Sequence, residues 1–164
     1  MIPGTTQWAA LSCRGWALAG AKPPLGVWKL IEELGAGDAR AAVLLWDEAG
    51  LTRPWNNPRE DFLKAVKSTS SAVLGVRDDG ILVGSVMVGY DGHRGWVYYL
   101  SVAKGFRGQG YGRRLMTGAE TWLRSRGAAK IQFMVRREND EVIDFYTKLG
   151  YVPQYVQVLG RRLS

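Results

Sequence analysis

The sequence predicts an α/β domain built on a central sheet of mixed strand direction. Three observations carry that expectation. Two tight-turn signals, Asp78-Asp79-Gly80 and Asp91-Gly92-His93-Arg94-Gly95, join three strand-like runs into consecutive antiparallel hairpins. Strand-like and helix-like segments then alternate towards the C-terminus, as helical crossovers require. Between the two turns, residues 81–88 are almost wholly apolar, which suits a central strand covered on both faces.

Taken in order, residues 28–34 predict a first strand. Gly35-Ala36-Gly37-Asp38 is a turn in which Asp38 can cap the following helix. That helix runs to about Ala49, with Ala42, Leu45, Trp46 and Ala49 on one face, and Gly50 stops it. Pro54 and Pro58 each restrain the residue before them, so residues 51–58 cannot be helical throughout. A short helix over 59–67 follows, then strands over 72–77, 81–90 and 96–102. A helix over 110–126 places Tyr111, Leu115, Ala119 and Trp122 on one side. A strand over 130–135, a helix over 140–149 and a closing strand or bent pair over 151–159 complete the chain. The expected total is six to seven strands and about four helices.

At 164 residues the chain has room for one domain. Its 22 Lys and Arg against 15 Asp and Glu leave a net charge of +7, which favours an anionic partner. Nucleic acid, a membrane surface and a phosphorylated small molecule all qualify. Cys13 and His93 are the only residues of their kinds, so no intrachain disulfide can form and a Cys/His structural zinc site is excluded by count. No metal is expected. No run reaches the roughly 20 apolar residues that span a bilayer. Residues 1–26 lack a basic start and a clean apolar centre, so they read as an extension rather than a signal peptide. Residues 27–164 are then the domain, and a cytoplasmic location follows.

The stretch richest in chemistry is Val102-Ala103-Lys104-Gly105-Phe106-Arg107-Gly108-Gln109-Gly110-Tyr111-Gly112-Arg113-Arg114-Leu115. A strand ends, a glycine-rich loop follows, and a helix begins with cations in its first turn. Glycines at 108, 110 and 112 let backbone amides approach a ligand closely. A helix N-terminus adds free N–H groups and a positive dipole end, an anion site. Arg107, Arg113 and Arg114 are unfavourable beside that dipole end, and a bound polyanion relieves the cost. The spacing is neither Gly-x-x-x-x-Gly-Lys-Ser/Thr nor Gly-x-Gly-x-x-Gly, which argues against a nucleoside-triphosphate loop and a dinucleotide domain. The alternative is a loop whose glycines only make turns.

With those residues in hand, the chain resembles the GNAT N-acetyltransferases. Arg107-Gly108-Gln109-Gly110-Tyr111-Gly112 matches that family's Arg/Gln-x-x-Gly-x-Gly/Ala signature for the pyrophosphate of acetyl-CoA. The resemblance covers residues 28–163 and extends to Arg53-Pro54-Trp55-Asn56, to residues 90–95 and to Tyr98-Tyr99-Leu100. It implies the GNAT (acyl-CoA N-acyltransferase) fold, acetyl-CoA as co-substrate and direct transfer of acetyl to an amine without metal or acyl-enzyme. Backbone groups of residues 109–114 would hold the pyrophosphate. Leu100-Ser101-Val102 would bulge from its neighbour and offer amides to the pantetheine arm, one near Val102 facing the thioester oxygen. Asn139 would contact the pantetheine, and Tyr146 would protonate the departing thiolate.

Each assignment has a plainer alternative. Tyr146 lies with Val142, Phe145 and Leu149 at helical spacing and can be core. Asn139 can be an N-cap. The general base is unassigned: where some relatives place a glutamate on the fifth strand, this chain has Met134. Glu138 is close in sequence but reads as a solvated surface residue, Tyr98, Tyr99, His93 and Asp91 are candidates to hold a water or substrate, and a water relay is the alternative. The stiff loop holding Arg53, Trp55 and Asn56, with His93 and Tyr98, is the expected acceptor surface; Trp55 can equally plug the sheet edge. The acceptor is a protein N-terminus, a lysine or a small amine. The oligomeric state is open, a homodimer included. A non-catalytic acyl-CoA binder and a nucleic-acid-binding protein are the rival readings, although the basic residues are spread over several elements.

Overall fold

The structure, a computed structural model, describes residues 30–161 and residue 163. The expected extension over 1–26 therefore lies outside the described residues. Five strands form one sheet in the order β1 (Ile31–Glu33), β2 (Ser71–Asp78), β3 (Ile81–Tyr90), β4 (Gly95–Val102) and β5 (Ile131–Gln132). The first four run antiparallel, and β5 joins β4 in parallel. Helices α1 (Ala39–Glu48), α2 (Pro58–Lys67), α3 (Tyr111–Arg124) and α4 (Asp140–Lys148) cover the two faces.

Strand alternation sorts the core. Ala72, Leu74 and Val76 of β2 join Val86 and Val88 of β3 beneath α3 and α4. Val73 and Met87 point the other way, against Trp46, Phe62 and Ala65 of α1 and α2. β3 is buried from Leu82 to Val88, as its apolar run requires. Ser85 is the polar exception; its hydroxyl accepts the Trp46 indole N–H at 3.0 Å and pairs with Ser101 at 3.2 Å.

Four sequence expectations are corrected. The sheet has five strands among the described residues rather than six to seven, because residues 151–161 adopt no regular structure. The strand expected over 130–135 narrows to Ile131–Gln132, since β4 and β5 pair only at Gly95–Ile131 and Trp96–Gln132. The first strand is described only as Ile31–Glu33. Asp38 does not cap α1: it closes a 3-10 turn, accepts the Gly35 N–H at 3.0 Å and ion-pairs with Arg77 of β2. A carboxylate with a guanidinium in reach leaves the helix amides to others.

Asn57 shows the capping that Asp38 does not. Its side chain accepts the Glu60 N–H at 3.2 Å at the start of α2, and Pro58 occupies the first helical position.

Candidate active site

The glycine-rich loop behaves as its sequence promises at two positions and differently at a third. Gly108 and Gly110 have φ of +73° and +83°, and a Cβ on either would meet nothing within 4 Å. The backbone needs glycine there, and the space beside it is open. Gly112 is different: a Cβ would stand 3.1 Å from the Phe145 ring of α4. That close approach brings the start of α3 against the helix that carries Tyr146.

Among the described residues, no side chain caps α3. Its first backbone bond runs from the Arg114 N–H to the Gly110 carbonyl at 3.1 Å, so the amides of Tyr111, Gly112 and Arg113 have no acceptor inside the helix. Arg113 is exposed and Arg114 half-buried beside them. Arg107 is exposed and anchored by its Nε donating to the Val102 carbonyl at 3.1 Å. The Gln109 side chain donates to the Gly105 carbonyl at 3.1 Å. Free amides and the positive dipole end of α3 thus meet open space beside Gly108 and Gly110, with Arg107, Arg113 and Arg114 on the flanking residues.

The preceding strand is irregular where the resemblance implied a bulge. Ser85 pairs with Ser101 and Met87 with Tyr98, so Val86 of β3 faces two β4 residues, Tyr99 and Leu100. Tyr99 has φ of +52°, a left-handed conformation that costs a non-glycine residue about 1–2 kcal/mol. Among the described residues, β4 has no strand partner on its β5 side past Trp96. Residues Leu100 and Val102, both half-buried, lie along that parted edge.

Tyr146 is buried and packs on the Phe133 ring at 4.1 Å between centroids. It also lines a cavity of about 500 Å³ with Trp96, Ile143, Met134 and Tyr151, beside β5 and under residues 150–158. Burial pushes its phenol up to about 12, so it keeps its proton through the neutral range and can act as an acid rather than a base. Core packing and a proton donor's state are both present in this one residue. Asn139 begins α4 but makes no side-chain cap bond, so its amide is not spent on the helix.

The base and acceptor candidates separate. Asp91 is held down at about 2 by the Arg94 N–H, the Trp96 indole and the His93 N–H, which suits a loop anchor and not a proton acceptor. His93 and Glu138 are exposed, and Met134 is 56% exposed. Arg53 is occupied: its Nη1 donates to the Gly50 and Thr52 carbonyls at 2.8 and 2.6 Å, closing the end of α1. Trp55 is 60% exposed rather than a buried plug, and Tyr98 is exposed, its phenol raised by burial and then by Asp91. Sequence reasoning did not connect Tyr99 with α2. Its ring stacks on Trp46 at 4.1 Å and 11°, and its hydroxyl donates to Asp61 at 2.9 Å. These partners lie far apart in the sequence, and no local pattern signals the contact.

Comparison with known proteins bears directly on this arrangement. The Acetyltransferase (GNAT) family model matches residues 40–151. An acetyltransferase of Yersinia enterocolitica is 44% identical over 126 residues, 77% of this chain and 89% of its own. An acetyltransferase of Pectobacterium atrosepticum matches at the same identity and coverage. The chain belongs to the GNAT acetyltransferase family and is an acetyltransferase.

Solved structures agree on the fold. The ribosomal-protein-alanine N-acetyltransferase of Brucella melitensis superposes with a TM-score of 0.65 at 21% identity, over 80% of this chain and 97% of its own. AAC(6')-Iy in complex with the bisubstrate analog CoA-S-monomethyl-acetylneamine superposes at 0.67 with 14% identity, over 82% and 97%. Among the described residues no helix is long and apolar enough to cross a membrane, and no cluster of three or more His, Cys, Asp or Glu could hold a metal ion.

Proposed function

We propose that this chain moves the acetyl group of acetyl-CoA to a primary amine by direct attack within a ternary complex. The observation that supports this best is the uncapped start of α3, where left-handed Gly108 and Gly110 leave a cradle open to solvent. The amides of residues 109–113, with Arg107 and Arg113, hold the diphosphate of the co-substrate. The parted edge at Leu100 and Val102 hydrogen-bonds the pantetheine arm, and Asn139 reaches it from α4.

In the transfer the amine nitrogen bonds to the thioester carbon, and the carbonyl oxygen takes negative charge. An amide of β4 stabilises that oxyanion. The C–S bond then breaks, and the thiolate takes the Tyr146 proton. The amine sheds its own proton to water. Asn56, Trp55, His93 and Tyr98 form the acceptor wall, with Arg53 holding the loop behind them. Supporting proteins of the same fold act on protein alanine in one case and carry an aminosugar analogue in another, so the fold leaves the amine's chemical setting to this wall.

Calorimetry with acetyl-CoA tests the cradle. Gly110→Glu places a carboxylate among the diphosphate donors and is expected to weaken binding by about 100-fold, roughly 2.7 kcal/mol. Unchanged affinity rejects the site. Thiol release against a panel of peptide and small-molecule amines tests the chemistry. Tyr146→Phe should lower kcat by roughly 10²–10⁴-fold while acetyl-CoA binds as before. A variant as fast as the parent leaves Tyr146 as core alone.

A further inference from the structure

The bulge in β4 raises a question that transfer chemistry alone does not answer. Residue 99 adopts the left-handed conformation that glycine takes freely, yet it is a tyrosine. A bulge that needed only its backbone shape would be served by glycine. The tyrosine side chain must therefore supply something in return for its strain. It makes two contacts, both with elements on the acceptor side of the sheet. Its ring lies flat on the fully buried Trp46 of α1, and its hydroxyl donates to the Asp61 carboxylate of α2 at 2.9 Å.

Trp46 is fixed in turn. Its indole N–H donates to Ser85, and Ser85 pairs with Ser101, which stands two residues beyond Tyr99 on β4. The bulge is thus gripped on both sides. Tyr99 ties its first residue to α1 and α2, and Ser101 ties its far end to the same tryptophan through Ser85. Between these anchors lies Leu100, which turns to the opposite face. The strand edge has already lost its β5 partner before the first anchor, past Trp96.

We propose that Asp61 and Tyr99 are positioning residues, a latch between α2 and the β4 bulge that holds the unpaired β4 amides where they meet the thioester oxygen. The inference rests on the acetyl-transfer reading above. It adds a route by which α2 communicates with the reacting carbonyl: Asp61 holds the tyrosine hydroxyl, and that tyrosine sets the strand.

The test is infrared spectroscopy of acetyl-CoA isotopically labelled at the thioester carbonyl, bound at saturation to the full chain. A hydrogen bond from β4 lowers the carbonyl stretching frequency relative to free acetyl-CoA in water. In Tyr99→Phe, which keeps the stack on Trp46, and in Asp61→Ala, the band should return most of the way to its free position. Acetyl-CoA affinity should stay within about threefold of the parent, because the diphosphate cradle is untouched. Asp61→Asn retains an acceptor for the tyrosine hydroxyl and should keep the lowered band. The double variant should look no worse than either single one, since both remove one interaction.

Parent-like bands in Tyr99→Phe and Asp61→Ala overturn the proposal. So does Asp61→Asn behaving as Asp61→Ala, or an additive double variant. Where Tyr99→Phe melts below the assay temperature, the pair Asp61→Asn and Asp61→Ala decides alone. A parent that binds acetyl-CoA with an unshifted carbonyl overturns the latch while leaving transfer standing. A parent that does not bind acetyl-CoA removes both.

Discussion

At its start β4 is held from both sides. Gly95 and Trp96 pair with Tyr90 and Gly89 of β3 and with Ile131 and Gln132 of β5, and a Cβ on Gly95 would stand 2.5 Å from the Leu123 side chain of α3. A few residues later the same strand bulges, carries a left-handed tyrosine and loses its β5 neighbour. It then runs into a loop whose glycines face open space. One half satisfies its backbone within the fold; the other leaves donors unpaired where a ligand can reach them. The glycines mark the difference. Gly95 is small because the core is full, whereas Gly108 and Gly110 are glycine because their backbone is left-handed beside vacant surface.

The sharpest way to break this contrast is to enlarge the packed glycine. Gly95→Val drives a branched side chain into Leu123 and should cost about 3 kcal/mol of folding stability, read as a lower urea midpoint. The fraction that stays folded should bind acetyl-CoA as the parent does. A midpoint unmoved by this change would mean that the close approach at Gly95 is easily relaxed. Gly110→Glu is the opposite case. It should unfold only about 1–2 kcal/mol more easily, the cost of a left-handed non-glycine residue, while losing its ligand. A collapse of stability there would place Gly110 with the core glycines.

The smallest effect concerns the hairpin before Gly95. Three N–H donors lower the Asp91 carboxyl from 3.8 to about 2. A carboxylate lowered on folding adds stability that is fully present above its unfolded value and is lost as pH falls through the folded one. The melting-temperature gap between the parent and Asp91→Asn should therefore be constant down to about pH 4 and close towards about pH 2. A gap that instead widened on acidification would show that the hairpin does not depend on the ionised carboxylate.

Much of this was legible in the residues themselves. The uninterrupted apolar run of β3, the amphipathic stripe of α3 and the glycine pattern at 108 and 110 each follow from local stereochemistry. Tyr146 was legible in two guises, and its burial with a retained proton accommodates both. The bulge at Tyr99 was invisible as a backbone event because the usual marker, glycine, is absent. Its compensation comes from Trp46 and Asp61, which only tertiary packing brings together. Asp38 misled for a related reason. Its turn sequence suits a cap, but Arg77 of β2 competes for the carboxylate and wins. The overextended β5 and the missing closing strand share another cause: strand propensity counts only where a neighbour is present to pair.

The two-rung junction between β4 and β5 has a kinetic consequence. The meander from β2 to β4 closes through short hairpins and nearest neighbours, whereas β1 joins it across α1 and α2, and β5 must wait for the whole of α3 to cross over. With only two paired positions, the seam is the weakest pairing of the sheet and the first to open. In native-state hydrogen exchange, Ile131 and Gln132 should trade their amide protons through small fluctuations, while the centre of β3 exchanges only when the entire domain unfolds. A bound acyl chain lying in the gap would act as the missing rungs, and exchange at β5 would slow in proportion to ligand occupancy.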